Sequence, residues 1–150
     1  MNKIAINICH GGFNLSHKAL LKYAELKGIS VTTLTVDKSQ EDDDHPFGKW
    51  KRVRPGEEND RYGIFHLYLF RDIPESWKDY DETEDFKCLT SDDIERDDPA
   101  LIETLETIGL LDCNGALSNI NIVEIPDDVI WEIEEYDGNE WVSEVHRRWS

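Results

Sequence analysis

Positive charge is what this chain has least of. Of its 150 residues 16 are lysine or arginine and 33 are aspartate or glutamate, a formal net charge of -17. Binding DNA or RNA through the phosphate backbone needs a basic surface, so no direct nucleic-acid partner is expected, and an anionic membrane surface is an equally poor one. Cysteine is scarce as well. Cys9, Cys88 and Cys113 are odd in number and show no CxxC spacing, which argues against a disulfide framework or a zinc knuckle and for reduced thiols. No apolar run approaches the roughly 18 residues of a membrane span. The opening MNKIAINICH lacks the long apolar core and cleavage site of a signal peptide, so a cytoplasmic location is expected.

Several motifs are missing too. There is no GxGxxG, Walker loop, GxSxG elbow, HxH or HxxxH, so neither a cofactor nor a catalytic metal is expected, and hydrolysis has no positive support. The acidic run Glu41 to Asp44 would hold calcium weakly at most. His66, flanked by apolar residues, reads as a core histidine rather than a base. No internal repeat or heptad pattern occurs.

What is present is enough apolar material for one core. With 39% hydrophobic and 10% aromatic residues the chain is too apolar for wholesale disorder, and its length suits a single domain. The charge is unevenly spread. Residues 1–37 carry four basic and two acidic side chains, whereas residues 71–112 carry four and fifteen, so the amino-terminal segment is where an anion would meet least repulsion.

Lys3 to Cys9 alternates Ile4, Ile6 and Ile8 against Ala5, Asn7 and Cys9 and predicts a strand. Gly11 and Gly12 form a turn, Ser16 is a helix N-cap, and Ala19, Leu20, Tyr23 and Ala24 follow at helical spacing until Gly28 closes the helix. A β-branched strand over 30–36 would complete a βαβ unit. Residues 38–62 and 71–96 read as long acidic loops, Gly63 to Phe70 as a central strand, and Asp98–Pro99 as the start of a helix that Gly109 ends. Ile120–Ile125 and Val129–Glu135 suggest an antiparallel hairpin, and Trp141, Val145 and Trp149 a short terminal helix. The expected fold is therefore α/β or α+β: one domain over 1–150, a mixed sheet of four to five strands, an N-terminal βαβ unit, and a C-terminal hairpin plus short helix.

Three stretches, INICHGGFNLS at 6–16, RDDPALIE at 96–103 and EIPDDVIWEIEEYDGNEWVSEVHRRWS at 124–150, resemble a family of small uncharacterised proteins found mainly in tailed-phage genomes. Asn7, Gly11, Gly12, Phe13, Arg96, Glu140, Trp141, His146 and Arg147 match that pattern. His17 and Lys18 stand where it has an acidic residue, and Arg148 where it has a small polar one. The resemblance implies an accessory phage protein that counters host defence, and one physical route is to sequester the small phosphorylated nucleotide that a defence system uses as its signal. The residues expected to hold such a ligand are Asn7, His10, Gly11, Gly12, Phe13, Arg96, Trp141, His146 and Arg147, with N–H donors from the helix start, arginines for phosphate and an aromatic for base stacking. Two other readings stay open. An acidic decoy would present carboxylates in place of phosphates to a host protein. A phosphodiesterase would need a general base such as His10, His66 or His146, and binding is favoured over catalysis. Association into a homo-oligomer is left open.

Overall fold

The computed structural model describes residues 1–54, 66–69, 76–82 and 87–145, of which 66–69 are described by their backbone. Three helices and seven strands are present among them: β1 Asn2–Asn7, α1 His17–Lys27, β2 Thr32–Asp37, β3 Lys49–Arg52, β4 His66–Leu69, α2 Pro99–Ile108, α3 Leu110–Cys113, β5 Ile120–Ile125, β6 Trp131–Tyr136 and β7 Asn139–Glu144. The mixture of helix and strand agrees with the expected class. The strands, however, form three small antiparallel sheets, β1–β5, β3–β2–β4 and β6–β7, rather than one mixed sheet.

The helices start and stop where local chemistry dictates. Ser16 caps α1 by accepting the Ala19 N–H, and Gly28 ends it at φ 67°. Asp98 caps α2 by accepting the Ala100 N–H at 2.8 Å, Pro99 supplies a residue with no N–H to satisfy, and Gly109 follows at φ 98°. The two helices pack together through Leu20, Tyr23, Ala24, Leu101, Ile102 and Leu105, and Ala5 and Ile120 add the β1–β5 pair to that core.

Asp98 also ties the helices. Its carboxylate accepts the Tyr23 hydroxyl at 2.8 Å and lies 3.1 Å from the Lys27 ammonium. Burial alone would raise the carboxyl pKa, but the bonds from Tyr23, the Ala100 N–H and Lys27 outweigh it and hold the acid below its ordinary value. Burial and the same carboxylate push the Tyr23 phenol up to about 12. A depressed carboxyl stabilises the fold above its unfolded pKa and loses that contribution as pH falls through the folded value. A raised phenol gives the mirror case: its contribution is complete below an unfolded value of about 10 and declines as pH climbs to the folded one. Tyr23→Phe should therefore lower stability by about 1 kcal/mol at neutral pH and flatten the loss above pH 10, as measured by urea unfolding across pH.

β2 departs from the βαβ expectation. It joins no strand of the first sheet; it pairs with β3 on one side and β4 on the other, both antiparallel. Two factors account for this. The 38–48 connection closes locally, which favours an antiparallel neighbour. Leu34, fully buried, also has its own apolar partners in Trp77, Trp50 and Cys88, away from the helical core. Among the described residues β4 has β2 as its strand neighbour, so the central position belongs to β2; the side chain of His66 lies outside the described residues, as do residues 63–65 and 70. The loop expected over 38–62 contains β3, four residues whose strand character comes from Trp50 packing on Leu34.

At the other end, β5 pairs with β1, from Asn2 opposite Ile125 to Asn7 opposite Ile120, and not with the next strand. The hairpin is instead β6–β7. Asp137 at φ 50° and Gly138 at φ 85° provide the two consecutive left-handed residues of a two-residue hairpin turn, and this geometry makes Asn139–Glu144 a strand where Trp141 and Val145 had suggested a helix.

Candidate functional site

Most of the residues singled out around the glycine turn do meet. β1 ends at Asn7, the chain turns through Gly11 and Gly12, and Phe13 leads to the Ser16 cap. Two segments close on this turn. A Cβ at Gly11 would stand 1.7 Å from the Leu117 carbonyl oxygen, and one at Gly138 would stand 2.6 Å from the His10 carbonyl oxygen and 2.9 Å from the Gly12 nitrogen. The glycines thus allow backbone to pack on backbone. The turn is a junction where the 117 loop and the hairpin tip meet, a use of glycine that the sequence pattern does not distinguish from a phosphate cradle.

Asn7 organises the junction. Its side chain is fully buried, and its amide donates to the carbonyls of Cys9 and Gly138, each at 2.8 Å. Its carbonyl oxygen accepts the Asn119 N–H at 2.8 Å, and the Cys9 sulfur lies 3.3 Å from that oxygen and 3.1 Å from the Leu117 carbonyl oxygen, one of which takes its single S–H. Both of its donors and at least one acceptor site are thus used inside the protein, and the side chain is out of reach of solvent, so it serves the junction rather than a ligand.

Arg96 arrives from the segment before α2. Its guanidinium lies over the Phe13 ring, 3.6 Å from the centroid, and grips Glu140 of β7 with two bonds of 2.7 and 3.0 Å. One nitrogen also donates to the Ala5 carbonyl at 3.3 Å. The Arg96 main-chain carbonyl in turn accepts the Ala5 N–H at 2.8 Å, and Glu140 accepts the Asn7 main-chain N–H at 2.7 Å. Both side chains are largely buried, at 19% and 10% exposure, so the pair sits in a low dielectric with its charge cancelled. The cation that a phosphate would need is held by an internal carboxylate, and one face of the aromatic that a base would need is covered by the cation.

The other candidates are placed differently. His10 is exposed and lies 3.1 Å from the Asp137 carbonyl oxygen through Nδ1. Trp141 is opposite Glu134, and strand alternation turns it to the face away from its neighbour Glu140; its indole N–H donates to Glu134 at 3.0 Å on the outer side of the hairpin. It does not join the junction. His146 and Arg147 lie outside the described residues, as do Arg148 and Trp149. At the helix start, Ser16 takes up the Ala19 N–H and its own hydroxyl donates to the Asp112 carbonyl at 2.7 Å.

Glu140, Gly138 and Asn119 were not among the expected site residues, although they complete it. An arginine buried in an acidic protein must have a carboxylate, but with 33 acidic residues the sequence does not say which. Among the described residues no three His, Cys, Asp or Glu side chains gather as a metal site. All three cysteines are free thiols, and burial pushes the Cys113 thiol up to about 11, far from a reactive thiolate at neutral pH. In comparisons with protein families, curated proteins and solved structures, nothing matches the chain.

Proposed function

We propose that this chain is a non-catalytic binding protein that presents carboxylates in place of nucleic-acid phosphates to a basic protein, and, in the phage setting that its terminal motifs suggest, acts as a decoy for a host DNA-binding protein. One observation carries the reading: several of the few cations among the described residues already hold a carboxylate each. Lys27 is paired with Asp98, Lys49 with Asp42, Arg54 with Asp79 and Arg96 with Glu140, all within 3.6 Å. The surplus acid is left at the surface, where Asp92, Asp93, Glu95, Asp97 and Glu103 are all exposed along the approach to α2 and its first turns. Such a surface attracts a basic partner at long range and loses it to salt, since the screening length falls to about 3 Å at 1 M.

A second reading has its own support. His10, Gly11, Gly12, Phe13 and Arg96 come together around the buried Asn7, as sequestration of a small phosphorylated nucleotide would require; a ligand would have to displace Glu140 from Arg96.

One set of measurements separates the two. The immobilised chain should retain basic proteins from a bacterial lysate at low salt, release them to duplex DNA and to about 0.5 M salt, and lose most of this capacity when Asp92, Glu95, Asp97 and Glu103 are replaced by their amides. Capture that DNA does not displace, or that the amide variant keeps, sinks the decoy. Heat of binding and a thermal shift with ADP-ribose derivatives or cyclic dinucleotides, with no basic protein retained, would put sequestration in its place.

A further inference from the structure

The loop between β2 and β3 builds an apolar groove that the junction does not use. It is open to solvent, offers about 400 Å³, and is lined by Phe47, Trp50, Pro46 and Val36 together with Asp44 and His45. The loop is held in shape from inside. The Asp42 carboxylate accepts the N–H groups of Asp44 at 3.0 Å and His45 at 2.7 Å and lies 2.8 Å from the His45 ring nitrogen. The Asp42 and His45 backbones pair reciprocally at 3.1 and 3.2 Å. Gly48, at φ 110°, passes so close to Asp37 that a Cβ would lie 2.1 Å from its carbonyl oxygen. Phe47 stands just before this turn with 71% of its surface exposed, a large apolar side chain left without cover.

Charge says what would cover it. Asp42 is engaged with His45 and Lys49, but Asp44, which lines the groove with the aromatic walls, is exposed, and Glu41 and Asp43 of the same loop are exposed as well. An aromatic face attracts a cation through its quadrupole, and neighbouring carboxylates add to the attraction while repelling anions. The occupant that suits an apolar, aromatic groove with an acidic mouth is a long alkyl stem ending in a positive charge.

We propose that this groove takes an arginine side chain of the basic partner protein, its methylenes against Phe47 and Trp50 and its guanidinium toward Asp44. The inference rests on the decoy reading and sharpens it, because it adds a shape-specific anchor to an otherwise diffuse electrostatic attraction.

The probe is a short blocked peptide, acetyl-Gly-Arg-Gly-amide, titrated into the labelled full chain and followed by the amide and Trp50 indole resonances. The expected result is saturable shifts confined to Val36 and residues 44–50, roughly tenfold weaker binding in Phe47→Ala and in Asp44→Asn, and no saturation with the citrulline peptide, which keeps the shape but lacks the charge. Both substituted residues are exposed, so both variants should keep the wild-type melting temperature. Equal binding of citrulline, unchanged affinity in both variants, or shifts elsewhere would overturn the groove assignment. Capture of basic proteins distinguishes this failure from that of the wider reading: undiminished capture by Phe47→Ala defeats the groove alone, whereas no capture by the unmodified chain defeats the decoy while the peptide titration still decides the groove.

Discussion

Alanine at Arg96 or at Glu140 is expected to lower the free energy of unfolding by about 3–5 kcal/mol, a large share of the roughly 5–15 kcal/mol that a domain of this size has. Each single change leaves the other charge buried and uncompensated. Arg96→Ala strands Glu140 with the Asn7 N–H as its remaining donor and exposes the Phe13 face. Glu140→Ala removes the group that links β1, β7 and the segment before α2. The double variant should recover part of the loss, since no charge is then left unpaired, giving a coupling energy of about 2 kcal/mol in a urea-unfolding cycle. Additive losses would show that the two side chains do not act as a pair.

The second large effect is steric. Gly11→Ala should destabilise by more than about 3 kcal/mol, because its Cβ would meet the Leu117 carbonyl oxygen at 1.7 Å, and backbone cannot move aside as a flexible side chain can. Gly12→Ala is the informative control. Gly12 has φ 92° but open space where a Cβ would go, so alanine there meets only conformational strain, about 1–2 kcal/mol. Thermal unfolding should rank Gly11→Ala well below Gly12→Ala. The reverse order would mean that an unusual φ, not backbone packing, is why glycine stands in this turn.

Local chemistry was readable in the residues, and partner choice was not. Ser16 and Gly28, or Asp98–Pro99 and Gly109, act within one turn of chain, so the bounds of α1 and α2 could be placed from their own residues. Strand pairing depends on what lies across the molecule. Ile4 and Ile6 announce a strand but not that residues 120–125 will lie beside it, and Leu34 does not announce Trp77. At the C-terminus two periodicities competed. Trp141 and Val145 match a helical spacing, yet Asp137–Gly138 is a hairpin turn, and the turn prevails because it brings Trp131–Tyr136 alongside as a hydrogen-bonding partner. The junction was legible to the same extent. Asn7, the two glycines, Phe13 and Arg96 could be brought together on paper, while the carboxylate that neutralises the arginine could not.

The junction also constrains the order in which the molecule can assemble. The Asn7 main chain bonds to Glu140 across 133 positions, and β1 finds its strand partner in β5. During synthesis the first strand must therefore wait, unpaired, until residues 120–140 have left the ribosome, whereas the β2–β3 pair and the capped helices can form from neighbouring residues. Closure of so long a loop is slow, and it leaves Ile4 and Ile6 exposed meanwhile. The net charge of -17 also serves the unfinished chain, since mutual repulsion opposes the pairing of open strands from different chains.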